Sequence, residues 1–168
     1  MTKIIFVCLG NICRSPLAEA IFIKKLNESV ALNTEEITVI SAATSEYNLG
    51  DEADQRAVKV AINKEYTSIL HHRAKILSVD HLLTDNPDDS CFIICMDQSN
   101  KRNVHKIIGN TTNNNSSVRV HLFSDFGEEC GREIDDPYYG DDEDFERVLE
   151  RCEKYSIELL DYLLQSCE

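Results

Sequence analysis

The chain has 168 residues, a net charge of −13, 42% hydrophobic and 28% charged residues, the composition of a soluble globular protein with room for a proper core, expected as one domain over 1–168. The acidic balance argues against nucleic acid as a partner, because phosphate backbones recruit basic surfaces. No apolar run approaches the ~20 residues that cross a bilayer, so no membrane insertion is expected. The seven cysteines, in a chain that opens without a signal-peptide pattern, read as reduced thiols in the cytoplasm and not as a disulfide scaffold.

In chain order, residues 3–7 (K-I-I-F-V) are a short apolar, β-branched run and predict a buried strand. Leu17, Ala20, Ile21, Ile23 and Leu26 recur at helical spacing and predict a helix over 17–26, with Pro16 in the first turn, where its missing N–H was unpaired anyway. A polar stretch, 27–36, leads to a second strand at 37–40 and a small-residue loop at 41–50. Residues 51–61 predict a short helix with Ala53, Ala57, Val58 and Ala61 inward and Asp51 as its cap. Residues 66–81 give mixed signals, with a helical run following through Leu82 and Leu83, and 85–90 is a turn cluster. A third strand is predicted at 91–96, a helix at 99–108 ended by Gly109, a surface loop at 110–117, a fourth strand at 118–123 and a long helix over 144–164. Strand and helix alternate about four times, which predicts a three-layer α/β fold, a parallel sheet with helices on both faces. The acidic clusters at 128–129 and 141–144 read as solvated faces.

Between the first strand and the first helix lies 8–15, C-L-G-N-I-C-R-S. A loop from a strand's carboxyl end to a helix N-terminus aims several backbone N–H groups at one anion, helped by the helix dipole. A cysteine there, Cys8, among oriented N–H groups and a guanidinium, is a nucleophile poised under a bound phosphate. Arg14 offers a planar fork for two phosphoryl oxygens. Gly10 is expected to permit positive φ, Asn11 tolerates the same region, and the Ser15 hydroxyl can donate to the sulfur.

The run C-L-G-N-I-C-R-S-P-L-A-E-A resembles the phosphate-binding loop of the low-molecular-weight protein tyrosine phosphatases, and further matches extend the resemblance over most of the chain. It implies a four-stranded sheet in the order 2-1-3-4 and hydrolysis of phosphotyrosine proteins and small aryl phosphates through a phosphocysteine, with acid-phosphatase-like activity. No cofactor and no metal are implied. Leu9, Gly10, Asn11, Ile12, Cys13 and Ser15 would hold the phosphate with Arg14. D-D-P-Y-Y-G at 135–140, whose Pro137 stiffens the residue before it, would place Asp136 over the pocket as general acid, with Tyr138 and Tyr139 walling one side and Tyr47 the other. Asn11, Ser41 and His72 match a polar network behind the loop, although His72, beside His71, reads by itself as a surface histidine. Asp97 matches a position that steadies Arg14; from the residues alone, Asp97 or Ser99 is a helix cap. Cys13 is either a small buried side chain or a redox partner that traps oxidised Cys8 as a disulfide. Self-association, if any, is expected to be weak.

Three rival readings share these residues. A thiol-linked arsenate reductase needs two further cysteines close together beyond the third strand, and none follows Cys95 before Cys130. An arginine phosphatase commonly has threonine where Ile12 stands. An inactive phosphate-reading adaptor has no need of both Cys8 and Asp136.

Overall fold

The computed structural model describes residues 1–30, 34–82, 86, 89–109 and 118–165. Strands β1 (Thr2–Cys8), β2 (Ile37–Ala43), β3 (Ser90–Cys95) and β4 (Val118–Leu122) form one sheet, parallel throughout, in the order β2-β1-β3-β4. This is the order that the resemblance implied. The two central strands carry the most continuous apolar runs because both of their faces are covered; Ile4, Ile5, Phe6 and Val7 are all fully buried.

Side chains alternate across a strand. Ile4, Phe6 and Cys8 of β1 enter the core layer under α1 (Arg14–Glu28), α2 (Gln55–Asn63) and α4 (Asp142–Gln165). Ile5 and Val7 enter the opposite layer, with Val104 and Ile108 of α3 (Gln98–Ile108). Helices therefore cover both faces. Helix α4 buries the apolar stripe from Phe145 and Val148 to Leu159 and Leu163. At the centre of that layer the Phe6 ring meets Phe22 at 5.7 Å and Phe123 at 5.0 Å, and Phe123 meets Tyr155 edge-on at 5.7 Å. Each such side chain contributes about 1.5–3 kcal/mol by leaving water.

The structure departs from the expectations in several places, and β2 runs to Ala43, three residues into the expected 41–50 loop. Helix α2 starts at Gln55, and Asp54, not Asp51, caps it by accepting from the Arg56 N–H at 2.9 Å. The backbone at 50–51 is already engaged: the Gly50 N–H donates to the Ala74 carbonyl, and the Ala74 N–H to the Asp51 carbonyl, both at 2.8 Å. A segment held in that two-way pairing cannot also open a helix. The helical run expected near 82 is a single 3-10 turn, Val79–Leu82, and another covers Thr67–His71. The acidic run 141–144 is more than solvated surface, because it starts α4. The Asp141 N–H donates to the Asp144 carboxylate at 2.9 Å and the Asp144 N–H to that of Asp141 at 3.1 Å, where negative charge also suits the helix dipole. Glu129 likewise has a task, accepting from the Tyr155 hydroxyl at 2.6 Å. Gly109 ends α3 as expected. Leu83, positions 85, 87 and 88 of the expected turn, and the 110–117 loop lie outside the described residues. Among the described residues no helix is long and apolar enough to cross a membrane.

Candidate active site

At the centre of the sheet the chain leaves β1 toward β2 and β3 toward β4, so the strand order reverses beside the carboxyl ends of β1 and β3, where open α/β sheets bind ligands. Cys8 is the last residue of β1, and α1 begins at Arg14. The turn between them is made at Asn11, with φ +55°. Gly10 lacks the positive φ expected of it. A Cβ there would lie 2.6 Å from the Asn48 Oδ1, so glycine leaves room for the Asn48 side chain.

Asn11 is fully buried, and each of its polar groups is engaged. Its N–H points at the Cys8 Sγ at 3.3 Å. Its carbonyl accepts from the His72 Nε2 at 2.6 Å, and its Oδ1 from the Lys75 N–H at 3.0 Å. Its Nδ2 donates to the Ser15 and Ser41 hydroxyl oxygens, both at 2.8 Å. The Ser15 oxygen, already an acceptor, turns its hydrogen to the Cys8 Sγ 3.0 Å away. Two donors thus converge on the sulfur in front of the N-terminus of α1, surroundings that suit an anionic sulfur. The Ser41 hydroxyl in turn donates to the Glu19 carboxylate.

Arg14 is 2% exposed. Its NH1 donates to Asp97 Oδ2 at 2.6 Å and to the Ile134 carbonyl at 2.9 Å, and its NH2 to Asp136 Oδ2 at 3.2 Å. Burial works against the charge of Arg14, yet Cys8, Asp136 and Asp97 together raise its pKa. Both readings of Asp97 hold at once: one carboxylate oxygen steadies Arg14, and the other caps α3 by accepting from the Asn100 N–H at 2.7 Å. Asp136 has a side chain 44% exposed, and its Oδ1 accepts from the Tyr138 N–H at 3.2 Å.

His72 is not the surface histidine that its neighbours suggested. Its side chain is 6% exposed, with Nδ1 3.9 Å from the Glu19 carboxylate, and burial lowers its pKa against the pull of the Asn11 carbonyl. Burial raises the pKa of Glu19, against the Ser41 hydrogen bond and Lys75. Burial also pushes the Cys13 thiol up, with Asp54 and Cys8 adding to it.

Above the sulfur opens a cavity of about 460 Å³. Ten of the anticipated residues line it: Cys8, Leu9, Gly10, Ile12, Cys13, Arg14, Tyr47, Asp136, Tyr138 and Tyr139. Asn11, Ser15, Ser41 and His72 stand behind it in one hydrogen-bonded network, and Asp97 stands behind Arg14. Asn48 also lines the cavity, and nothing local in the sequence singles it out. Glu19 had a signal, being the one charge in the otherwise apolar run 16–23. A tetrahedral oxyanion placed in this cavity would meet a sulfur, a guanidinium and a carboxyl group, the kinds of group that covalent catalysis of ester cleavage uses.

The family model described as low molecular weight phosphotyrosine protein phosphatase matches residues 3–167. A curated relative with that description from Sus scrofa is 37% identical over 151 residues, 89% of this chain and 88% of its own length. One from Saccharomyces cerevisiae is 35% identical over 161 residues, 94% of this chain and 92% of its own. Among solved structures, a protein tyrosine phosphatase from Entamoeba histolytica, with Hepes in its active site, superposes with a TM-score of 0.80 at 30% identity, covering 100% of both chains.

Proposed function

This chain belongs to the low molecular weight phosphotyrosine protein phosphatases and is a cysteine-dependent hydrolase of phosphoric monoesters, and on that premise we propose that Cys8, Arg14 and Asp136 carry the reaction on phosphotyrosine proteins and small aryl phosphates. In the first step the Cys8 sulfur attacks phosphorus. The S–P bond forms, the bond from phosphorus to the aryl oxygen breaks, and the Asp136 proton goes to the departing oxygen. Arg14 and the amides at the start of α1 hold the equatorial oxygens, whose charge they neutralise. In the second step a water oxygen attacks phosphorus while Asp136 takes its proton. The S–P bond breaks, inorganic phosphate leaves and the sulfur anion is restored, with the Ser15 hydroxyl stabilising it as leaving group.

The observation that carries this reading is the sulfur itself, met by the Asn11 N–H at 3.3 Å and the Ser15 hydroxyl at 3.0 Å at the floor of a cavity with Arg14 and Asp136 on its wall. The aromatic sides of that cavity suit an aryl ester, and the depth of the sulfur suits a long arm over that of phosphoserine. Hydrolysis of p-nitrophenyl phosphate in the presence of EDTA tests it. Activity is expected to persist with the chelator and vanish in Cys8→Ser, and to fall about 10²–10⁴-fold in Asp136→Ala, the usual worth of a general acid. An unimpaired Asp136→Ala enzyme removes the acid assignment, and faster turnover of phosphoarginine than phosphotyrosine removes the substrate.

The same proposal includes a cytoplasmic location, weak self-association at most, and redox protection of Cys8. Burial keeps Cys13 a thiol, so it does not compete as nucleophile. Once peroxide has oxidised Cys8 to the sulfenic acid, the Cys13 thiol would condense with it, forming the disulfide and releasing water.

A further inference from the structure

We propose that Arg56 is the positioning residue for the general acid, acting on Asp136 through the backbone of Tyr138, whose carbonyl it holds and whose N–H reaches the acid. The argument rests on the assignment of Asp136 above and on one side chain of α2. The Arg56 guanidinium binds the Asp54 carboxylate with two nitrogens, Nε at 3.0 Å and NH2 at 2.9 Å. The same NH2 donates to the Tyr138 carbonyl at 3.0 Å, and NH1 donates to the Gly140 carbonyl at 3.3 Å. The guanidinium carbon lies over the Phe145 ring, 4.5 Å from its centre, and over the Tyr138 ring at 5.8 Å.

These contacts join the two halves of the site. Asp54 belongs to the side of the phosphate loop, since its N–H donates to the Ile12 carbonyl at 2.8 Å. Tyr138 and Gly140 belong to the acid loop, and the Tyr138 N–H donates to Asp136 Oδ1 at 3.2 Å. Arg56 therefore fixes the residue whose amide aims the Asp136 carboxyl group. With Oδ1 held there, Oδ2 is the oxygen turned to Arg14, 3.2 Å away. The link ties the acid's position to the position of the loop that holds the phosphate. Only arginine has the shape for it: a rigid fork reaches a carboxylate and two carbonyls in one plane, whereas an ammonium is a single point charge.

A residue that places the acid matters in proportion to how much the leaving group needs a proton. The test is kcat/KM, which reports steps up to leaving-group departure, for phenyl phosphate (poor leaving group) and p-nitrophenyl phosphate (good). The proteins compared are wild type, Arg56→Gln, Arg56→Lys, Asp136→Ala and the Arg56→Gln/Asp136→Ala double variant. Arg56→Gln is expected to lose about 10- to 100-fold on the phenyl ester, the scale of a misplaced catalytic group, and distinctly less on the nitrophenyl ester. In the Asp136→Ala background it loses nothing further. Competitive inhibition by inorganic phosphate stays at the wild-type value, because the phosphate loop is intact. Arg56→Lys keeps charge and stem over Phe145 but not the fork, and shows the same leaving-group-dependent loss; it carries the test if Arg56→Gln does not melt cooperatively. Equal losses on both esters, or a further loss of the same size without Asp136, overturn the positioning role. If Asp136→Ala by itself shows no leaving-group dependence, the acid assignment fails first and takes this inference with it.

Discussion

Asn11 shows how much of a site one side chain can organise. Its left-handed backbone and its amide reach Cys8, Ser15, Ser41, His72 and Lys75 together. The backbone part of that role was legible, because asparagine beside glycine in a strand-to-helix turn reads locally. His72 was legible only through the resemblance, because its partner lies 61 positions away and nothing near it in the chain reports burial. Its burial has a measurable consequence. The folded pKa of His72 lies below its ordinary 6.5, so the unfolded chain takes up that proton first and stability is lost as pH falls through the window beneath 6.5. Glu19 works in the opposite sense: its raised pKa adds stability as pH falls toward the carboxylate range. His72→Gln removes the titration and keeps an N–H donor for the Asn11 carbonyl. Urea denaturation at about pH 7.5 and about pH 5.5 is expected to show a smaller loss of stability in His72→Gln than in wild type. Equal losses mean that His72 does not titrate in that window.

Helix α2 shows where reading by element stops. Periodicity placed Ala57 and Ala61 on its buried face but missed Val60, and its start was not legible, because the pairing of 50–51 with Ala74 is a contact between distant stretches. By contrast β1, the loop and α1 were legible as a strand-turn-helix unit from their own residues, although Ser41, His72 and Lys75, which hold the loop from behind, lie 30 to 64 positions from Asn11. The true cap can be told from the expected one by stability. Asp54→Ala is expected to cost about 1 kcal/mol for the cap alone, and more because it also strips Arg56 of its carboxylate. Asp51→Ala, whose exposed side chain accepts from Asn48, is expected to stay within about 0.5 kcal/mol of wild type. Denaturant midpoints for the two variants decide it, and a reversed order would return the cap to Asp51.

For the molecule as a whole, the sheet separates two cores of unequal weight. The layer under α1, α2 and α4 holds the phenylalanine cluster around Phe6, and the layer under α3 is built of smaller aliphatic side chains. Phe6→Ala is expected to cost about 3–5 kcal/mol, a large part of the roughly 5–15 kcal/mol that holds a domain together. Ile5→Val, on the other face of the same strand, is expected to cost about 0.5–1.5 kcal/mol. Equilibrium unfolding monitored by circular dichroism reads both costs, and a Phe6→Ala cost no larger than that of Ile5→Val would mean that the ring cluster is not tightly packed. Periodicity assigns each strand its faces but not its neighbours, which is why the sheet order was legible only through the family resemblance. The alternation along β1 also reaches the chemistry. Cys8 lies in the Phe6 layer because an even number of steps separates them. Adding or deleting one residue between Lys3 and Val7 would flip the thiol to the α3 side, beneath the wrong roof, with every catalytic residue still present in the gene. The arithmetic of that short strand is thus inherited along with the cysteine, and changes of length inside it are tolerable only in pairs.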